Sequence, residues 1–245
     1  MFALAFVSSS VFSTVASADD WSGPYIGAHA GYASGDAAVD LTGSSGAIHY
    51  NDPFLPGDQH QKFGGYDGWI GGGQIGFNQQ FDTIVAGVEA DVSATDVGSD
   101  LTTGISVQGA SWDISSELEV LGTVRGRLGF LLSNQLLAYG TGGFAWGRVD
   151  VKQATTFHNP PDDGGRTSGT INHFGYAIGG GLEYMIAPKF SIKAEYLYVD
   201  LGKEDYALSG TTKPPSNPAA APYVETFASD IELHTFRVGL NYAFD

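Results

Sequence analysis

The stretch His234-Thr235-Phe236-Arg237-Val238-Gly239-Leu240-Asn241-Tyr242-Ala243-Phe244 carries the fold in its alternation. Its even positions read His, Phe, Val, Leu, Tyr, Phe, and its odd positions read Thr, Arg, Gly, Asn, Ala. A period of two is the signature of a β-strand with two chemically different faces. The run is as long as the roughly 9 to 11 residues that a tilted strand needs to cross a membrane. Working backwards, the same pattern holds from 190 to 199, where Phe190, Ile192, Ala194, Tyr196 and Tyr198 oppose Ser191, Lys193, Glu195, Leu197 and Val199. It returns at 173–184, 118–130 and 84–93, and in weaker form at 68–79 and 24–33. The segment 136–149 is strand-like, but Gly142-Gly143 blurs its phase, and the direction of Phe144 and Trp146 stays open.

These segments predict an all-β fold: an eight-stranded antiparallel up-and-down transmembrane β-barrel. An even strand number closes the sheet without an unpaired edge. Which face lies outside follows from charge. The apolar strips are wide, nearly free of charge and aromatic at their ends, as the lipid-facing band and girdles of a membrane barrel are. The opposite strips mix glycine with Glu89, Asp91, Glu119, Arg125, Arg127, Glu183, Lys193, Glu195 and Arg237. An eight-stranded lumen is just wide enough to be filled by side chains, so small residues and mutually paired charges belong there. A soluble barrel with an apolar, ligand-holding interior is the competing reading of the same alternation.

Connection lengths point to the same topology. Short turns are expected near Gln80-Phe81-Asp82, Ser133-Asn134 and Ala187-Pro188, and long polar connections at 34–67, 95–112, 152–170 and 201–231. Outer-membrane barrels have short periplasmic turns and longer extracellular loops, which predicts that both termini are periplasmic. Residues 1–18 are apolar and small and end in Ala16-Ser17-Ala18, the A-x-A pattern of a signal peptide, although no basic residue precedes Phe2. The barrel domain is therefore expected over residues 19–245.

Composition removes other classes. The 245 residues carry 27 Asp and Glu against 11 Lys and Arg, a net charge of −16, and the scattered cations offer no cluster for nucleic-acid phosphates. With no cysteine, disulfides, thiolate metal sites and cysteine nucleophiles are absent. No cofactor or metal is expected: the loop carboxylates, such as Asp162-Asp163, lack the ligand order of a calcium loop. No Ser, His and acid set marks an enzyme; His173 and Glu183 share a face but lie ten residues apart, about 33 Å at strand rise.

Several stretches also resemble a known family. Trp21-Ser22-Gly23-Pro24-Tyr25-Ile26-Gly27 with Gly31-Tyr32, then Gly122-Thr123-Val124-Arg125-Gly126-Arg127-Leu128-Gly129, Leu136-Leu137-Ala138-Tyr139-Gly140-Thr141-Gly142-Gly143, and Lys193-Ala194-Glu195-Tyr196-Leu197-Tyr198 are similar to the small porin-like outer-membrane proteins of Gram-negative bacteria, often called outer-membrane immunogenic proteins. The resemblance implies an OmpA-like barrel, antigenic surface loops and a part in envelope integrity, and in some members a porin-like or haemin-binding activity. It also implies passage through periplasmic chaperones and the barrel-assembly machinery, which reads a terminal aromatic signal. Tyr242 and Phe244 occupy that place here, with Asp245 following as a departure from the pattern.

Three functional readings follow. The first is a structural barrel embedded in outer-membrane lipid that presents its loops to host or other surface ligands. The second is a narrow channel whose inward charges set ion selectivity. The third is haemin capture by the loop residues His49, Tyr50, His60 and His158, since imidazole and phenolate are haem-iron ligands.

Overall fold

The computed structural model describes residues 20–46, 60–102, 110–158, 161–212 and 221–244. They form eight strands: β1 (Gly23–Gly46), β2 (His60–Phe81), β3 (Ile84–Thr102), β4 (Ala110–Ser133), β5 (Leu136–His158), β6 (Pro161–Ala187), β7 (Phe190–Thr212) and β8 (Ala221–Ala243). Each pairs antiparallel with its sequence neighbour, and β8 pairs with β1, so the sheet closes. Closure is tight at the chain ends, where the Phe244 N–H donates to the Pro24 carbonyl at 2.9 Å.

Two-residue turns join β2 to β3, β4 to β5 and β6 to β7 at the end that holds both termini. In the first of these, Asp82 takes φ of +57°, a conformation that Asp tolerates better than most side chains. The opposite end differs from expectation. Strands of 19 to 27 residues run well into the segments expected as long loops, leaving much shorter connections. Hydropathy marks only the lipid-facing part of a strand; where the outer face meets water, polar residues continue the same backbone ladder.

The outward face carries an apolar band: Ile75, Val88, Leu128, Ile178 and Val238 are each more than half exposed. Aromatic residues border it on both sides. Phe81, Phe130, Tyr184, Phe190 and Phe244 lie toward the turn end, and Tyr32, Trp69, Phe174, Tyr176 and Phe236 toward the other. Along β6 the borders are ten residues apart, about 33 Å of strand. At the roughly 40° tilt of barrel strands this spans the ~25 Å lipid band of an outer-membrane barrel. Through Gly142-Gly143 the alternation of β5 continues unbroken. Gly143 and Ala145 lie on the inner phase of the strand, Phe144 points outward at 49 % exposed, and Trp146 lies outward and partly covered.

Beyond the second border the polarity of both faces reverses. Asp36, Asp67, Asp96, Glu117, Asp205 and Glu232 now lie outside, while Leu118, Leu121, Val149, Leu197, Leu201, Ile231 and Leu233 fill the inside. The protein is thus a membrane barrel prolonged into a collar with an apolar core. Inward glycines make room for the large side chains of neighbouring strands. A Cβ on Gly147 would come within 2.9 Å of Leu118 and 2.8 Å of Leu201, and one on Gly76 would meet the Tyr25 ring at 2.3 Å.

Candidate functional site: a charged lumen beneath an apolar plug

Eight ionised side chains meet inside the membrane-level lumen: Glu89 and Asp91 from β3, Arg125 and Arg127 from β4, Glu183 from β6, Lys193 and Glu195 from β7, and Arg237 from β8. All are at most 7 % exposed. Four positive and four negative charges balance, so the net −16 of the chain resides entirely elsewhere. Strand alternation places them: each sits at an inward position opposite an outward apolar residue. Burial of an ion costs several kcal/mol unless it is paired and hydrogen-bonded, which explains the density of contacts.

Arg125 is the hub. Its guanidinium donates to Glu89 at 2.7 Å, to Asp91 at 2.9 Å and to Glu195 at 3.1 Å, and its Nε donates to the Thr123 hydroxyl. Arg237 bridges Asp91, at 2.9 Å, and Glu195, while Thr123 donates to Asp91. Lys193 reaches across the lumen to both oxygens of Glu89 at 2.9 Å. Nearer the turn end Arg127 pairs with Glu183 at 2.6 Å, and Ser191 and Asn241 donate to the other Glu183 oxygen. β3 is therefore tied to β7 and β8 through the barrel interior as well as around its wall.

The neutral members of the network carry no signal in the sequence. Tyr25 donates to Glu89 at 2.7 Å and accepts from Arg127 at 3.1 Å; Tyr139 donates to Glu195 at 3.0 Å and lies under the Arg127 guanidinium, 4.1 Å from the ring centroid. The latter is cation–π geometry. Gly76 and Gly181 supply the room for these two rings. His29 contacts Gln74 at 3.1 Å and Ser93 at 2.7 Å, and all three are buried. A histidine beside a serine has the spacing of an activated nucleophile, but Ser93 is wholly enclosed.

Glu119 does not join the network. A bulge between Leu118 and Val120 inserts one residue in β4, so Arg125, Thr123 and Leu121 point inward below it and Leu118 points inward above it. Alternation extrapolated from Arg125 places Glu119 inside; the bulge turns it out, where it pairs with Arg148 at 3.3 Å with both side chains 41 to 51 % exposed. A second irregularity lies opposite it in β3, between Ala94 and Val97, where the Thr95 hydroxyl donates to the Leu118 carbonyl. A third lies in β7 between Asp200 and Lys203, built on Gly202 at φ +66°, with the Gly202 N–H donating to Asp200. Glycine is the residue that takes such a bulge position without strain.

The plug above the charges contains Ala33, Tyr66, Ile70, Val97, Leu118, Leu121, Val149, Leu197, Val199, Leu201, Ile231 and Leu233 in one contiguous cluster. Tyr66 lies within the collar, and burial pushes its phenol up to about 12. At the opposite mouth a cavity of about 30 Å³, lined in part by Tyr25, Asn78, Glu183, Ser191 and Asn241, has room for about one water molecule.

The remaining candidates lie apart from this lumen. His49 and Tyr50 fall outside the described residues. His60 opens β2 opposite Asp40, and His158 closes β5 opposite Pro161; two strands separate β2 from β5, so these two histidines are not on neighbouring strands. Half-buried Tyr242 packs between the exposed Phe190 and Phe244 at the turn end, its ring centroid 5.1 Å from Phe190 and 5.3 Å from Phe244. Among the described residues no group of three or more His, Asp or Glu side chains is arranged to hold a metal ion.

A closed sheet with an apolar outer band, aromatic borders and a charge-neutral polar interior defines an integral outer-membrane β-barrel. The family model for the outer membrane protein beta-barrel domain matches residues 2–244, and the chain belongs to that family. It is 35 % identical over 231 residues to the 31 kDa outer-membrane immunogenic protein of Brucella melitensis, covering 91 % of this chain and 84 % of that one. The 25 kDa outer-membrane immunogenic protein of the same organism is 27 % identical over 230 residues, covering 91 % and 79 %. Among solved structures, the outer membrane protein OprG from Pseudomonas aeruginosa aligns with 14 % identity and a TM-score of 0.47, covering 92 % of this chain and 99 % of that one.

Proposed function

We propose that the protein is a closed structural barrel of the outer membrane that holds a rigid collar and its connecting loops outside the cell. In this reading the turn end and both termini are periplasmic and the collar is extracellular. The acidic collar would be what surface ligands or antibodies meet, and Tyr242 and Phe244 would be read by the assembly machinery during insertion. The names of the relatives, outer-membrane immunogenic proteins, accord with an exposed surface.

The observation that carries this reading is that the lumen is filled twice over. The ion network occupies the membrane level and the apolar plug occupies the collar, each with wholly buried side chains. A narrow conducting pore would need both layers to part, and an apolar constriction alone stops ions by excluding water. The test is planar-bilayer recording on refolded chain, selected by its faster migration on SDS gels before boiling. No stable steps are expected from the wild type, nor from an Arg125→Ala, Arg127→Ala double variant whose plug is intact. Adding Leu118→Ala, Leu197→Ala and Leu233→Ala should admit ions. Stable single-channel steps from the wild type would overturn the closed-barrel reading and give the channel first place.

A further inference from the structure

The ring of strands is not laddered all the way up the collar. Among the described residues β5 pairs with β6 as far as His158 and Pro161, and β7 with β8 as far as Thr212 and Ala221. The pairing of β6 with β7 stops much lower, at Tyr176 and Asp200, beside the Gly202 bulge. A shorter gap separates β2 from β3 beyond Asp67 and Gly98. The upper collar therefore consists of two leaves, one of β3, β4, β5 and β6 and the other of β7, β8, β1 and β2.

A single imidazole lies behind the longer seam. His173, three residues beyond the last β6–β7 rung, is fully buried, and neither ring nitrogen has a hydrogen-bond partner among the described residues. β5 sets Gly147 opposite it, and Leu118 of β4 and Leu201 of β7 crowd the space over that glycine. The charged groups that act on His173 are two carboxylates, Glu204 of β7 and Asp230 of β8. Glu204 is half-buried and paired in register with buried Ser229, whereas Asp230 is exposed and faces Lys203. An imidazole so placed is neutral, because an ion there would lack both water and a partner. Two unmet ring nitrogens make it a costly filler for an apolar plug. What histidine adds is a response to acid. Once protonated it needs water, and the carboxylate of Glu204 lies toward the seam. With no ladder between β6 and β7 at that height, the two hairpins can part without breaking a rung.

We propose that His173 is an acid-operated latch on the collar: neutral, it lets the two leaves close over the plug, and protonated, it parts β6 from β7 above Tyr176 and Asp200. The sign follows from burial of the neutral form. The latch holds fully above the ordinary histidine range, near pH ~6.5, and is lost as the pH falls below it. The membrane-level ion network lies beneath the seam and stays closed.

The test is the distance between spin labels on Asn172→Cys and Asp205→Cys, exposed positions on the two sides of the seam, read by electron paramagnetic resonance on refolded protein in vesicles. The chain has no cysteine of its own, so only these sites are labelled. Going from about pH 7.5 to about pH 5 should widen the distance reversibly by about one strand spacing, ~5 Å. Labels on Lys152→Cys and Ser168→Cys, opposite each other within one leaf, should stay at one distance. His173→Leu and His173→Phe remove the titrating group and keep the plug filled, so each should hold the seam shut at both pH values. No widening in the wild type, or a widening that persists in these two variants, overturns the proposal. So does an equal widening of the pair within one leaf, which would report a general loosening of the collar in acid.

Discussion

The membrane-level barrel and the collar above it are made by the same eight strands with opposite rules. Below the second aromatic border, leucine and valine face out and arginine and glutamate face in; above it, aspartate and glutamate face out and leucine and isoleucine face in. The β-ladder is indifferent to this exchange because backbone hydrogen bonding lies in the plane of the sheet. Each face simply follows its surroundings. In lipid the only place for polar groups is the lumen, where they must satisfy one another; in water the lumen becomes the ordinary core of a small barrel. Stability in the lower half therefore rests on complete charge pairing, and in the upper half on packing without voids.

That contrast gives variants whose costs should fall in order. The heaviest is Glu195→Ala, which deprives Arg125, Arg237 and Tyr139 of their shared acceptor. Leaving buried charges uncompensated should cost about 3–5 kcal/mol, seen as an earlier midpoint in urea unfolding followed by gel mobility. A loss below about 1 kcal/mol would mean that water reaches the lower lumen and that the two halves do not differ as described. Next is Leu197→Ala in the plug, expected to cost about 2–4 kcal/mol through lost contact and the cavity left behind. There Leu197→Met should restore most of the loss, since the plug needs volume and not a particular group. Lightest is Glu119→Ala. An exposed pair with Arg148 contributes at most about 1 kcal/mol, so its unfolding midpoint should nearly match the wild type. A loss as large as that from Glu195→Ala would break the assignment of Glu119 to the outer wall.

Most of the barrel is legible in the sequence because the lipid band imposes a simple rule: one apolar face, nearly free of charge, for about ten residues. That rule locates all eight strands and eight of the nine inward charges expected. It cannot locate Glu119, because a bulge shifts phase by one residue without any composition change, and the Leu118-Glu119-Val120 pattern fits either face. It also stops short at the collar. Asp230-Ile231-Glu232-Leu233 alternates as regularly as the stretch after it, but with the apolar residues on odd positions instead of even ones. Read against the lipid rule, that reversal resembles the end of a strand; in the structure β8 runs straight through it. Tyr25, Tyr139 and Asn241 were hidden for another reason. Their partners come from strands across the lumen, so nothing near them in the chain announces the contact.

The line where the faces exchange polarity also acts as a waterline. Were the barrel to sink by one rung, Asp200 and Glu232 would be pressed toward hydrocarbon; were it to rise by one, Phe236 and Val238 would meet water. Either displacement is opposed around the whole circumference, by many strands at once, so a modest penalty per residue sums to a stiff restoring force. The depth at which the protein floats, and with it the height of the collar above the bilayer, is written into the alternation of its strands, with no anchor required from any single residue.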